Sequence, residues 1–154
     1  MVLLILVPLL TGAVIPAQHP PERVTTAHAS VTVLGHILNG AFTFDRVGDL
    51  TMWGPGGGLI DIDGDKGGTF QYSPLSMLGK FKTTPATPLV VQIGAGPAVK
   101  IVTSAAGECT VTVTRADDTG VAASFECGAV TVMGSGKKIF GPIDSMTGSF
   151  TASR

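Results

Sequence analysis

The sequence predicts an all-β domain, either an antiparallel β-sandwich or a flattened barrel of short strands. Its 154 residues include 21 Gly and 10 Pro together with many Val and Thr, a composition typical of short strands separated by turns. From Ser30 onward, short apolar runs alternate with Gly, Pro and Asp, and no long stretch follows the helical repeat. Short connections such as Asn39-Gly40 favour antiparallel hairpins over parallel crossovers.

Composition excludes several classes of protein. A hydrophobic share of 44% excludes a disordered chain, which would have too little apolar surface to offset its chain entropy. The 10 basic residues are balanced by 11 acidic ones, so the broad basic surface that nucleic-acid binding requires is absent from the sequence. The length indicates one domain with at most a short appendage.

Residues 1–18 carry no charged side chain and resemble a targeting segment. The apolar run from Val2 to Leu10 is shorter than the roughly 20 residues that span a bilayer as a helix. We therefore expect a secretory signal peptide, cleaved between residues 18 and 30, with a retained membrane anchor or a buried strand as alternatives. Residues 19–29 contain two prolines and several charges and are expected to form a mobile arm, and residues 30–154 a single all-β domain.

The strands follow from the apolar runs between turn residues. The segment TTPATP at 83–88 contains two prolines, which a central strand does not tolerate, and is expected to connect two sheets. In order, the expected strands are Val31–Leu38, Ala41–Arg46, Leu50–Trp53, Gly58–Ile62, Thr69–Tyr72, Leu78–Lys82, Leu89–Ile93, Val99–Thr103, Cys109–Arg115, Val121–Cys127, Ala129–Met133 and Ser149–Ala152.

The two cysteines are expected to form a disulfide within one hairpin. If the chain turns at Asp118, Cys109 lies opposite Cys127, and their neighbours of the same face are apolar. A register shift of one residue would separate the sulfurs and bring the apolar faces out of step. The other opposed pairs are Val111 with Phe125, Val113 with Ala123, and Arg115 with Val121.

The alternative for the cysteines is a pair of buried free thiols, the usual state in a reducing compartment. The opposed register and the signal-like segment favour the disulfide instead. A zinc or redox role is disfavoured, because the sequence has no C-x-x-C and no His close to either cysteine.

A candidate calcium loop begins at Asp61. Asp61, Asp63 and Asp65 stand at alternate positions before two glycines, as in the opening of calcium-binding loops. Two positions depart from that pattern, since Lys66 stands where a calcium loop has Gly and Tyr72 where it has a bidentate Glu. The alternative is a solvated hairpin turn, in which Asp and Gly are ordinary.

No catalytic or cofactor-binding residues are predicted. The glycine-rich run at 54–58 lacks the Gly-Lys-Ser/Thr ending of a phosphate loop, and Trp53 beside it is expected to pack in the core. Among the three histidines, only His36 lies within the expected domain and could act as a base. The acidic residues outside the Asp61 loop fall near expected turns, where a solvated role is usual.

The sequence thus predicts a secreted or cell-envelope protein that acts as a non-enzymatic binding or surface-structural module. Its partner would be a protein, a glycan or a small molecule, and nucleic acid is not expected as a partner. Contact with a membrane is expected only through the N-terminal segment, if that segment is retained. One alternative is a carrier that encloses a small apolar ligand in a cavity. Another is a hydrolase, which would need two carboxylates across one cleft.

Overall fold

The computed structural model of the chain describes residues 20–74, 76–94, 100–104, 107–134 and 139–154. The expected signal segment and His19 lie outside these ranges. Within them the chain forms fifteen strands and no helix. The strands are β1 (Glu22–Arg23), β2 (Thr26–Leu34), β3 (Gly40–Phe44), β4 (Arg46–Val47), β5 (Met52–Gly54), β6 (Gly57–Asp63), β7 (Gly68–Tyr72), β8 (Gly79–Lys82), β9 (Leu89–Ile93), β10 (Lys100–Ser104), β11 (Cys109–Asp117), β12 (Gly120–Cys127), β13 (Val130–Gly134), β14 (Ile139–Ile143) and β15 (Ser145–Ser153).

These strands form two antiparallel sheets. The first sheet has the order β1-β5-β6-β7-β9-β10-β13-β14, with β4 paired to β6 beside β5. The second sheet has the order β3-β2-β15-β12-β11-β8. The all-β antiparallel prediction is confirmed.

The core lies between the two sheets and centres on Phe70 of β7. Its ring centroid is 5.3 Å from that of Phe150, 5.8 Å from Phe125 and 6.4 Å from Phe44, three rings that belong to the second sheet. All four rings are buried. Apolar side chains at alternate positions of both sheets therefore interdigitate as in a β-sandwich.

The hairpin of β11 and β12 confirms the expected disulfide and its register. Cys109 and Cys127 are bonded and directly opposed, with Cα atoms 3.9 Å apart. Val111 lies opposite Phe125 and Val113 opposite Ala123, as expected. These side chains are all buried on the face that packs against the first sheet.

The same hairpin corrects the expected partner of Arg115. A β-bulge at Thr114 shifts the register, so that Arg115 lies opposite Ala122 rather than Val121. Without the shift the guanidinium would face the core, where an unpaired charge is costly. The bulge turns it outward, where it donates a 2.9 Å hydrogen bond to Ser153 Oγ.

Asp117 closes the turn between the two strands. Its Oδ1 accepts hydrogen bonds from the backbone N–H of Thr119 at 2.8 Å, from the Thr119 hydroxyl at 2.5 Å and from the Gly120 N–H at 3.1 Å. These bonds hold the pKa of the Asp117 carboxyl below its usual range. Gly120 is required by a close approach, since a Cβ there would lie 2.1 Å from the Ala152 carbonyl oxygen.

The structure corrects the expected mobile arm at 19–29. β1 pairs with β5, and the first residues of β2, Thr26–Ala29, pair with Phe150–Ser153 of β15. Glu22 also forms a 2.8 Å ion pair with Arg154. The alternation that places Ala27 and Ala29 toward the core is weak in the sequence because alanine is small, whereas the neighbouring prolines and charges are typical of an exposed segment.

Three further comparisons concern strand boundaries. The segment at 83–88 does connect the sheets, since β8 belongs to the second and β9 to the first. The strand expected at Val31–Leu38 ends at Leu34, where Gly35 packs closely against Ile143. The sequence does not predict β14, because Pro142 interrupts the apolar pattern of this strand. The structure places β14 at the edge of its sheet, where proline is tolerated.

Candidate functional site

A surface groove of about 440 Å³ lies beside β3. Three segments that are distant in sequence form it: residues 41–44 of β3, residues 65–67 of the turn between β6 and β7, and residues 93–94 at the end of β9. Since β3 belongs to the second sheet and β9 to the first, the groove opens where the two sheets of the sandwich separate.

The inner wall of the groove is apolar. Phe42 of β3 and Ile93 of β9 are half-buried and pack against the core, and Phe44, which also lines the groove, is buried. On the solvent side, Ala41 and Thr43 are exposed. The groove therefore offers an apolar surface on one side and exposed backbone and polar groups on the other.

Charged residues of the turn form the rim. Arg46 Nε lies 3.7 Å from Asp65 Oδ1, and Arg46 Nη2 donates a 3.2 Å hydrogen bond to the Gly64 carbonyl oxygen. Both contacts hold the turn against β4. Lys66 is exposed, and no acidic side chain in the described part of the chain forms an ion pair with it. Lys66 thus gives the groove an uncompensated positive charge.

The candidate calcium residues do not converge. Asp61 lies within β6, Asp63 ends that strand, and Asp65 lies in the following turn beside Arg46. Within the described ranges, no group of three or more His, Cys, Asp or Glu side chains is placed to hold a metal ion. Asp65 is exposed in the turn between β6 and β7, whereas Asp61 is buried in the sheet.

Asp61 is buried and satisfied within the sheet. Its Oδ1 accepts a 3.1 Å hydrogen bond from Gln71 Nε2 on β7. The Thr51 hydroxyl accepts from the Asp61 N–H at 3.1 Å and donates to the Asp61 carbonyl oxygen, so it fills the gap between β4 and β5. Burial raises the pKa of the Asp61 carboxyl, the Gln71 bond opposes this, and nearby Asp63 and Asp49 raise it further.

Asp61→Asn is expected to stabilise the protein at neutral pH, because it removes a charge that burial disfavours. The raised pKa means that the folded state binds the proton more tightly than the unfolded chain, so wild-type stability falls as pH rises from the ordinary value of 3.8 through the raised one. Asparagine keeps the acceptor for Gln71 without the charge.

Urea unfolding of both proteins across this pH range measures the effect. The advantage of the variant should grow with pH and vanish in acid. Asp65→Asn removes an exposed carboxylate of the same hairpin that contacts Arg46, serves as the charge-matched control, and should not stabilise the protein. An advantage of Asp61→Asn that is constant with pH would contradict the explanation.

A second polar pair near the groove was not predicted. His28 on β2 contacts Asp45, the residue after β3, through its Nδ1 and the carboxylate Oδ1. In the sequence His28 lies in the expected arm, and its 17-residue separation from Asp45 carries no recognisable signal. His36 is exposed in the loop after β2 and does not line the groove.

Trp53 lies in the core, as expected. The side chain is fully buried, and its Nε1 donates a 2.7 Å hydrogen bond to the Asp117 carbonyl oxygen at the hairpin turn. The indole thus connects β5 of the first sheet to β11 of the second, and it does not face the groove.

No family model, no characterised protein and no solved structure matches the chain. In the part of the chain that the structure describes, no helix is long and apolar enough to span a lipid bilayer.

Proposed function

We propose that this protein is an exported binding domain whose groove takes a ligand with an apolar part and an anionic group. The observation that carries the proposal is the combination of Phe42 and Ile93 on the inner wall with the unpaired Lys66 at the rim. The groove volume of about 440 Å³ falls within the range of small-ligand sites. The apolar part of the ligand would lose its contact with water against the wall. Its anionic group would pair with the ammonium of Lys66.

Export is supported by the disulfide and by the N-terminal sequence. Cys109 and Cys127 are bonded and buried, and disulfides of this kind persist in oxidising compartments. The uncharged apolar segment at 1–18 has the character of a secretory signal.

The groove suits a binding role better than either alternative. A carrier would enclose its ligand in an apolar cavity, whereas this groove is open to solvent and bordered by Asp65 and Lys66. A hydrolase of the carboxylate type would need two acids across the cleft. The described lining of the groove contains one, Asp65, and Arg46 is paired with it.

Lys66→Glu is expected to weaken binding of an amphipathic anion about tenfold, which corresponds to about 1.4 kcal/mol. The probe is anilinonaphthalene sulfonate, titrated by fluorescence and mapped by amide chemical shifts in NMR spectra. We expect the shifts to concentrate at residues 41–44, 66–67 and 93–94.

Lys80→Glu provides the matched control, because Lys80 is an exposed lysine on β8 at the opposite edge of the second sheet. That variant should bind the dye as the wild type does. Equal losses in the two variants would show a general charge effect. If the changes in amide chemical shift on dye binding were centred elsewhere on the protein, the groove would not be the binding site.

A further inference from the structure

We propose that the natural occupant of the groove is an extended polypeptide segment that adds to β3 as a further antiparallel strand. The proposal rests on the binding function assigned to the groove. β3 ends the second sheet, and no strand pairs with its outer side in the described structure. Every second residue of such an edge strand directs its N–H and C=O away from its partner, which leaves a template for another strand.

The other sheet edges carry features that oppose strand addition, and β3 does not. β8, at the opposite edge of the same sheet, carries Lys80 and Lys82. In the first sheet, β14 contains Pro142, β1 is two residues long and consists of Glu22 and Arg23, and β4 is also two residues long and contains Arg46. β3 has the sequence GAFTF, with five residues, no charge and no proline. Since natural proteins protect edges with charge, proline or short length, an edge strand without these features, covered only at its Thr43 end by the β6–β7 turn, indicates a docking strand beside the groove.

The geometry of the groove defines the side chains of the added strand. Side chains of neighbouring strands lie beside each other on the same face of a sheet. Alternate residues of the new strand would therefore lie beside Phe42 and Phe44 and face Ile93 of the first sheet. The intervening residues would lie beside exposed Ala41 and Thr43 and face solvent. The segment should thus be apolar at every second position.

Charge complementarity adds one further requirement. The turn that carries Lys66 packs at the end of β3, where Gly64 lies against Thr43 and Phe44. A strand on β3 would bring one of its ends close to Lys66. An acidic side chain or a terminal carboxylate at that end would pair with the ammonium, as the amphipathic anion does in the proposed function.

Selection from a library of random octapeptides with the purified chain as bait tests the proposal. We expect enriched peptides to alternate apolar and polar residues and to carry an acidic group near one end. For the best peptide, amide hydrogen exchange should slow in β3 on binding. N-methylation of alternate peptide residues on one edge should abolish binding, whereas methylation on the other edge should be tolerated, because only one edge of the added strand bonds to β3.

The controls separate this inference from the proposed function. Lys66→Glu should weaken binding of the peptide about tenfold, and Lys80→Glu should leave the affinity unchanged. If the dye bound in the groove but no peptide were enriched, strand addition would be overturned and the binding function would stand. A peptide whose binding tolerates N-methylation on both edges would have the same consequence. Self-association of the chain through β3 would equally overturn it. If neither the dye nor any peptide bound in the groove, both proposals would be overturned.

Discussion

Phe70→Ala is expected to lower the free energy of unfolding by about 3–5 kcal/mol, the range for truncation of a buried aromatic side chain. Phe70 is fully buried and contacts Phe44, Phe125 and Phe150, which lie on three different strands of the opposite sheet. Its removal leaves a cavity at the point where the two sheets meet.

Urea unfolding monitored by the fluorescence of Trp53 measures this loss. Phe81→Ala is the matched control, because Phe81 is the same residue type on edge strand β8 and is only half-buried. Its truncation should cost clearly less. If Phe81→Ala were as destabilising as Phe70→Ala, the core would not centre on Phe70. Where Phe70→Ala fails to fold, Phe70→Leu should still show a smaller loss in the same direction.

Replacement of Cys109 and Cys127 together by Ala is expected to lower stability by about 3 kcal/mol while the fold is kept. The bond closes a loop whose ends are 18 residues apart, and it acts mainly by restricting the unfolded chain. The strand pairing around it remains, since Val111 and Phe125 pack on the same face without the sulfurs.

Reduction of the wild type with dithiothreitol should produce a similar loss, and the same reagent should not affect the double variant. NMR shifts of residues distant from the bond should be unchanged in the variant. A variant as stable as the oxidised wild type, or free thiols in the non-reduced protein, would contradict this prediction.

The hairpin shows how far local pattern alone predicts structure. Its apolar alternation and its two cysteines select one register, and the structure has that register from Cys109 to Val113. Beyond Val113 the bulge intervenes, because the position of Arg115 depends on the groups of β15 that receive its side chain. Local periodicity carries no information about such a distant partner.

The groove could not be derived in the same way. Twenty residues separate its first segment from the second and twenty-five separate the second from the third, and the segments meet because β3 and β9 belong to different sheets. In the sequence the Asp61 loop instead resembles the opening of a calcium-binding loop. Lys66, which counted against calcium there, becomes the positive charge at the rim of the groove.

The sequence by itself determined the all-β class, the buried face of the β11–β12 hairpin and the pairing of the two cysteines. These features follow from the alternation of side chains along a strand, which local residues express directly. The tertiary structure alone decided that β2 pairs with β15, that His28 meets Asp45, and that β3 stands at an unprotected edge. The first outcome depends on strands that meet across more than a hundred residues of chain, the second on the pairing of neighbouring strands β2 and β3, and the third on the strand order of the whole sheet. That choice is made by the packing of the whole core rather than by any local pattern.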